Sequence, residues 1–417
     1  MKMKFLRLPK KYCLINMEMN FSMHCRGADP FIFFDSKSQL YYIYATDGSM
    51  NDKGQSFIIY KSCDLTHLEY VGYALDIKYN QWGDDWFWAP IVIYNPNNDL
   101  YYLFYSARIK DETLLKKWFS NPKFEEGCKI GVATSKSPEG PFRNITNEPI
   151  NYRPYDRNYL NIDDISKNPN HPTMSFEEAY NKSKRGTYVP LIDIDIFFEN
   201  SHLYFYFSRC CYKNFVYDAK LGKFVEESHI LCAEFDPSFW YDKEGKKMPE
   251  VMTSFRSFDK DSYYELIAYW REPQEWENGH INDFEKYNGQ KKDRRWSEGS
   301  TIFKKNIDGE DVYFMTYSCN NFENELYGVG IAYSKSPCGF FRKYRKNPII
   351  HQIEGESIYS TGHGSYINVN GKDIYVFHYR DNKESERCIA WCEILIKPPY
   401  PYEITISEIH KCELINH

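Results

Sequence analysis

Five stretches of this chain share one pattern of apolar and polar positions. They are LYYIYAT at 40–46, LYYLFYSA at 100–107, HLYFYFS at 202–208, DVYFMTYS at 311–318 and DIYVFHYR at 373–380. Each is dense in tyrosine, phenylalanine and branched aliphatics, which suit a pleated, half-buried surface. Each follows a shorter apolar run after a polar turn: PFIFF at 30–34, APIVIYN at 89–95, IDIDIF at 192–197, STIFKKN at 300–306 and GSYINVN at 364–370. Short β-forming runs bounded by polar turns predict strand pairs.

A longer repeat extends each pair. Gly131-Val132-Ala133-Thr134-Ser135-Lys136-Ser137-Pro138-Glu139-Gly140-Pro141-Phe142-Arg143 returns as Gly330-Ile331-Ala332-Tyr333-Ser334-Lys335-Ser336-Pro337-Cys338-Gly339-Phe340-Phe341-Arg342, identical at nine of thirteen positions. Each copy predicts a third strand, a Ser-Pro-x-Gly reversal whose Pro and Gly favour tight turns, and the start of a fourth strand. Four strands in about 50 residues is the period of a propeller blade. The pattern predicts an all-β, five-bladed β-propeller as one domain over 1–417, with blades at about 29–76, 86–150, 190–256, 296–350 and 362–410. Helix-like insertions are expected at 111–120 and 174–184, and the polar, poorly patterned segment 257–294 is expected as loop.

Composition narrows the function. Net charge is −6 with the signs interspersed, and aromatics make up 18%. A nucleic-acid partner favours a basic face, so none is expected; the run Lys291-Lys292-Asp293-Arg294-Arg295 reads as a solvated loop close to Glu298. No continuous apolar stretch predicts a membrane span, and the N-terminus reads as no signal peptide. Twelve cysteines lie scattered without a CxxC pair. That fits a cytoplasmic protein whose thiols are small core residues. Oligomeric state is not legible. Most aromatics are assigned to strands, and a few, Trp88 and Phe31 among them, to a sugar site where a flat ring covers an apolar sugar face.

Candidate chemistry lies at the heads of three strand pairs: Asp29, Asp193 and Glu298. Carboxylates at matching places in several repeats are expected to converge on one pocket, and converging carboxylates are what glycosidic bond hydrolysis uses. Asp195, two residues on and on the same strand face as Asp193, is the rival for the middle position.

The order Asp29-Pro30, Trp88-Ala89-Pro90, Ile192-Asp193, Glu298-Gly299 and Thr361-Gly362-His363-Gly364-Ser365 resembles glycoside hydrolase family 43 over nearly the whole chain. The resemblance implies a five-bladed propeller with an axial pocket and an inverting exo-glycosidase of arabinofuranosidase or xylosidase type. Its substrate would be an oligosaccharide carrying a terminal pentose, α-L-arabinofuranose first and β-D-xylose next. By the same resemblance Asp29 would be the general base, Glu298 the general acid and Asp193 the residue that tunes that acid. Arg387 would reach the sugar, and His363 would lie near an axial metal. No cofactor is needed for the chemistry, and a structural calcium on the axis fits the resemblance. Two departures stand out: Ile194 follows Asp193 and Ser300 follows Gly299, where the family usually has proline. Other readings are a galactofuranosidase or galactosidase of the same fold, a glycoside phosphorylase, which would need an anion site, and a non-catalytic sugar-binding propeller. Inversion needs an ionised base, for which Arg26 or Arg387 could supply a cation, and a protonated acid, for which Asp193 is the expected source of negative charge.

Overall fold

The tyrosine-rich runs are strands because both of their faces are covered. In Leu40–Thr46, Tyr41, Ile43 and Ala45 join one apolar cluster, and Tyr42 and Tyr44 join another. Lys372–Arg380 behaves alike: Ile374 and Val376 face one cluster, Tyr375, Phe377 and Tyr379 the next. With side chains alternating at period two, each such strand serves two neighbouring blades. Five clusters result, one at each blade interface, and the core lies in these interfaces.

The computed structural model describes residues 23–47, 55–78, 81–160, 181, 185–210, 215–218, 223–252, 256–257, 260–261, 263–279, 281–282, 291–292 and 294–415. It shows a five-bladed β-propeller of antiparallel sheets. Blade one is Ala28–Asp35, Leu40–Thr46, Gln55–Ser62 and His67–Asp76. Blade two is Asp85–Asn95, Leu100–Arg108, Cys128–Ser135 and Arg143–Asn144. Blade three is Leu191–Glu199, His202–Arg209, Ile230–Phe235 and Tyr264–Ile267. Blade four is Arg294–Ile307, Glu310–Cys319, Gly328–Ser334 and Arg342–Lys343. Blade five is Tyr359–Val369, Lys372–Arg380, Cys388–Lys397 and Glu403–Ile406. The strand Glu413–Ile415 runs parallel to His67–Asp76 and antiparallel to Met23–His24, so the first and last described strands meet on blade one.

Three expectations change. The segment expected as loop over 257–294 supplies the fourth strand of blade three, Tyr264–Ile267, where Leu266 and Ile267 are buried and Glu265 meets His229. Residues 268–279 are pinned to blade four by the buried pair Lys343–Glu277 and by Tyr317 donating to Glu277. The inner strand of blade four begins at Arg294 rather than at 300, and Arg295 is buried against the Tyr269 ring rather than solvated. The start of this long strand pairs in parallel with Lys223–Ser228 and so carries a sheet of three further strands, Phe215–Asp218, Tyr155–Leu160 and Arg185–Tyr188. The expected helix at 111–120 forms over Glu112–Phe119, capped by the Asp111 carboxylate and ended by left-handed Ser120. The helix-like stretch 174–184 lies outside the described residues but for 181. Among the described residues nine cysteines carry thiols outside any disulfide, eight of them buried, and Cys63 is disulfide-bonded. No helix among the described residues is long and apolar enough to cross a membrane.

Candidate active site

Each blade's inner strand is bulged near its start. A left-handed residue recurs there: Asp29 (φ 49°), Ala89 (49°), Asp193 (56°), Gly299 (59°) and His363 (35°), with a second one in blades two and five, Trp86 (52°) and Ser360 (48°). Strand register slips at the same five places. A bulge re-aims a side chain and takes its backbone out of the ladder, and such strain clusters at functional sites. The freed N–H groups still need acceptors. Each is met by a side chain on the second strand of the preceding blade. Thr46 Oγ1 accepts from Ala89 (2.9 Å), Ser106 Oγ from Asp193 (3.0 Å), Ser208 Oγ from Gly299 (3.1 Å) and Ser318 Oγ from His363 (2.7 Å). His378 Nδ1 accepts from Asp29 (3.1 Å) and closes the ring.

This ring brings Asp29, Asp193 and His363 to one depth on the axis. Glu298 is one residue out of step with the other carboxylates, since Gly299 holds the left-handed position in blade four. A Cβ at Gly299 would come within 2.6 Å of the His363 ring, so glycine here makes room for the imidazole. The three carboxylates meet as expected, but not at strictly equivalent positions.

Their electrostatics differ. Asp29 is buried, which by itself raises a carboxyl pKa, yet His363 at 3.3 Å and Arg387 at 3.7 Å, with a hydrogen bond from Thr46, outweigh it and hold Asp29 below the usual carboxylate value. Arg26 does not take part; it pairs with Glu386 at 3.0 Å in solvent. Burial pushes Glu298 up, against the pull of His363 and of hydrogen bonds from Tyr327 Oη (2.6 Å) and Trp296 Nε1. Burial rather than a negative neighbour therefore leads in keeping Glu298 protonated. Asp193 is pushed up to about 7, first by burial and then by Glu298 and Asp29. Its Oδ2 accepts from Gly299 N at 3.3 Å, directly beside Glu298.

Asp195 lies one layer deeper. Its Oδ2 accepts from Ile302 N at 2.9 Å, tying blade three to blade four much as Ser365 Oγ, accepting from Ile32 N, ties blade five to blade one. The geometry places Asp193, not Asp195, beside Glu298. Phe31 lines the same axial cavity of about 20 Å³ with Asp195 and Ser365, beneath Asp29. Trp88 is half-buried and stacked on Trp86 with centroids 4.9 Å apart; Trp86 in turn lies under the Arg108 guanidinium, itself bound to Asp85. This rigid pair packs against Ile192, the neighbour of Asp193.

His363 turns its Nδ1 to Asp29, which leaves Nε2 as the nitrogen that would meet an axial ion; among the described residues no group of three or more His, Cys, Asp or Glu is arranged to hold one. A calcium ion takes six to eight oxygen ligands, and no step below depends on one.

Sequence reasoning missed Tyr327 and the five acceptors of the ring. The acceptors were visible in alignment of the tyrosine strands, where Thr46, Ser106, Ser208, Ser318 and His378 share one place. Tyr327 has no counterpart in the repeat and left no signal.

The sequence profile described as glycosyl hydrolases family 43 matches residues 22–163 and 175–398. No curated protein matches the chain significantly. Among solved structures, the chain is similar to an endo-1,4-beta-xylanase from Bacteroides thetaiotaomicron (25% identity, TM-score 0.60, covering 95% of this chain and 99% of that one). It is also similar to a thermostable family-43 glycoside hydrolase (23%, 0.61, 93% and 95%). An alpha-L-arabinanase from Cellvibrio cellulosa, complexed with arabinohexaose, shares the fold (13%, 0.54, 94% and 100%).

Proposed function

The chain belongs to family 43 of the glycosyl hydrolases, and we propose that it is an inverting exo-glycosidase that releases a terminal pentose, α-L-arabinofuranose or β-D-xylose, from oligosaccharides. One observation carries this reading: two buried carboxyls that share the neighbour His363 are pushed in opposite directions, Asp29 down and Glu298 up. Opposed carboxyl pKa values in one site assign the base and the acid.

In this mechanism Asp29 stays ionised beside His363 and Arg387 and takes a proton from a water on one face of the sugar. Glu298, protonated by burial, gives its proton to the departing oxygen on the other face. Tyr327 and Trp296 hold the two oxygens of Glu298 in place. Asp193, beside Glu298 across the Gly299 amide, shares the buried proton with it and so sets the pH at which the acid is lost. The base-activated water requires the carboxyls to stand roughly 6.5–9.5 Å apart, a span suited to residues from separate blades.

The exo mode rests on the family resemblance; the extra sheet joins the chain at residues 294–296, just before Glu298. The pentose assignment draws on the xylanase, arabinofuranosidase, arabinanase and xylosidase names of similar structures. The test is a screen of nitrophenyl α-L-arabinofuranoside, β-D-xyloside, β-D-galactofuranoside and β-D-galactoside with the wild type, Asp29→Asn and Glu298→Gln. Pentoside hydrolysis lost in Asp29→Asn and strongly reduced in Glu298→Gln is expected. Cleavage of galactosides alone would overturn the pentose assignment, and full activity in both variants would overturn the mechanism.

A further inference from the structure

The ring of inter-blade hydrogen bonds is broken in kind at one place. Four acceptors are hydroxyls; the fifth, His378, is an imidazole, and the N–H it receives belongs to Asp29. A hydroxyl at this station suffices to close a bulge, as the other four blades demonstrate. His378 Nδ1 accepts from the Asp29 amide at 3.1 Å, as the hydroxyls do from theirs. His378 also makes a contact that no hydroxyl could. Its ring stacks on Tyr327, with centroids 5.8 Å apart and planes 16° from parallel, and the Tyr327 hydroxyl donates to Glu298.

We infer that His378 is a positioning residue which links the two reacting carboxyls, seating Asp29 through its amide and Glu298 through the stacked Tyr327. The inference rests on the reading of Asp29 and Glu298 as base and acid. Accepting an N–H at Nδ1 requires the neutral tautomer with its proton on Nε2. The surroundings favour that state: His378 is fully buried, and the cations Arg387, His363 and Arg380 oppose a further positive charge. Among the described residues its Nε2 meets no hydrogen-bond partner, so Nδ1 and the ring face carry its contacts. A link of this kind fixes the gap left for the attacking water without touching the sugar. Its loss is therefore read in kcat rather than in KM.

Two readouts test this, one of them independent of turnover. Nitrogen NMR of the wild type, with the signal assigned by its disappearance in His378→Asn, should show the Nε2–H tautomer unchanged between pH 5 and 8; an imidazolium in that range would overturn the proposal. Kinetics then compare His378→Ser, which installs the acceptor of the other blades, with His378→Asn, which retains an acceptor near Nδ1 but no ring. Both should lower kcat at least tenfold with KM within threefold. Both should also move the alkaline limb of the pH profile upward, because a loosened Tyr327 donates less to Glu298, whose other close groups are Trp296, Asp193, His363 and Asp29. A kcat within threefold of wild type with an unmoved pH profile in either variant overturns the proposal. So does failure of both to fold, which would make the role one of stability alone. If the wild type hydrolyses no glycoside, the base and acid assignment fails by itself, and the tautomer measurement still decides whether His378 accepts from Asp29.

Discussion

At the scale of single residues, proton placement dominates. Asp29→Asn should lower kcat/KM by about 10³-fold or more, since general base catalysis contributes typically 10²–10⁴. The pH profile should be bell-shaped. Its acidic limb should lie below the ordinary carboxylate range, because His363 and Arg387 keep Asp29 ionised. Its alkaline limb should lie above the ordinary carboxylate range, because burial raises Glu298 and its neighbour Asp193 is itself pushed up to about 7. Tyr327→Phe removes a hydrogen bond that lowers the pKa of Glu298 and should shift the alkaline limb upward, as read in kcat/KM against pH. Asp193 and Asp195 both titrate near 7, but only Asp193 adjoins Glu298. Asp195→Asn keeps an acceptor for Ile302 N and should retain activity within about tenfold, whereas Asp193→Asn should lose it by about 10²-fold. Asp193→Asn should also stabilise. In the folded protein Asp193 keeps its proton up to about pH 7, while in the unfolded chain it ionises near the ordinary carboxylate pKa. Stability conferred by the proton is thus full at acid pH and is lost as pH rises toward 7. Thermal melting should place the variant above wild type at pH 8 and close to it at pH 4.

At the scale of elements, the repeated bulge is the device that builds the site. The sequence legibly showed the tyrosine strands, their pairing with short apolar strands and the GVATS/GIAYS third strands, because period-two burial and Ser-Pro-x-Gly turns are local signals. It also brought Asp29, Asp193 and Glu298 together. It did not show that Gly299 rather than Glu298 holds the left-handed position, because that depends on the His363 ring arriving from the next blade. Nor did it show that Arg295 belongs to a strand: two arginines read as solvent, but the guanidinium of Arg295 is covered by Tyr269. The strand Tyr264–Ile267 was missed because four residues give too little pattern. The bulge account predicts costs. Ser318→Ala leaves the His363 amide without its acceptor and should destabilise by about 1–3 kcal/mol, measured by urea unfolding. Gly299→Ala combines a left-handed Cβ with a 2.6 Å clash at His363. It should cost more than that and should impair turnover in whatever fraction folds.

For the molecule as a whole, ring closure and pocket chemistry are coupled. Blade five meets blade one on the axis through Asp29, His378 and His363, and at the rim through the strand Glu413–Ile415 and buried Cys412. Removal of residues 410–417 exposes the edge of His67–Asp76 and should lower the melting temperature by several degrees while raising KM little, since no pocket residue is lost. The central claim is that Asp29 and Glu298 act from opposite faces of the sugar, and the configuration of the first product reports on it most directly. A proton NMR time course on the best nitrophenyl pentoside should show the anomer of inverted configuration first, with the other growing in only by mutarotation. First appearance of the retained anomer would contradict the account.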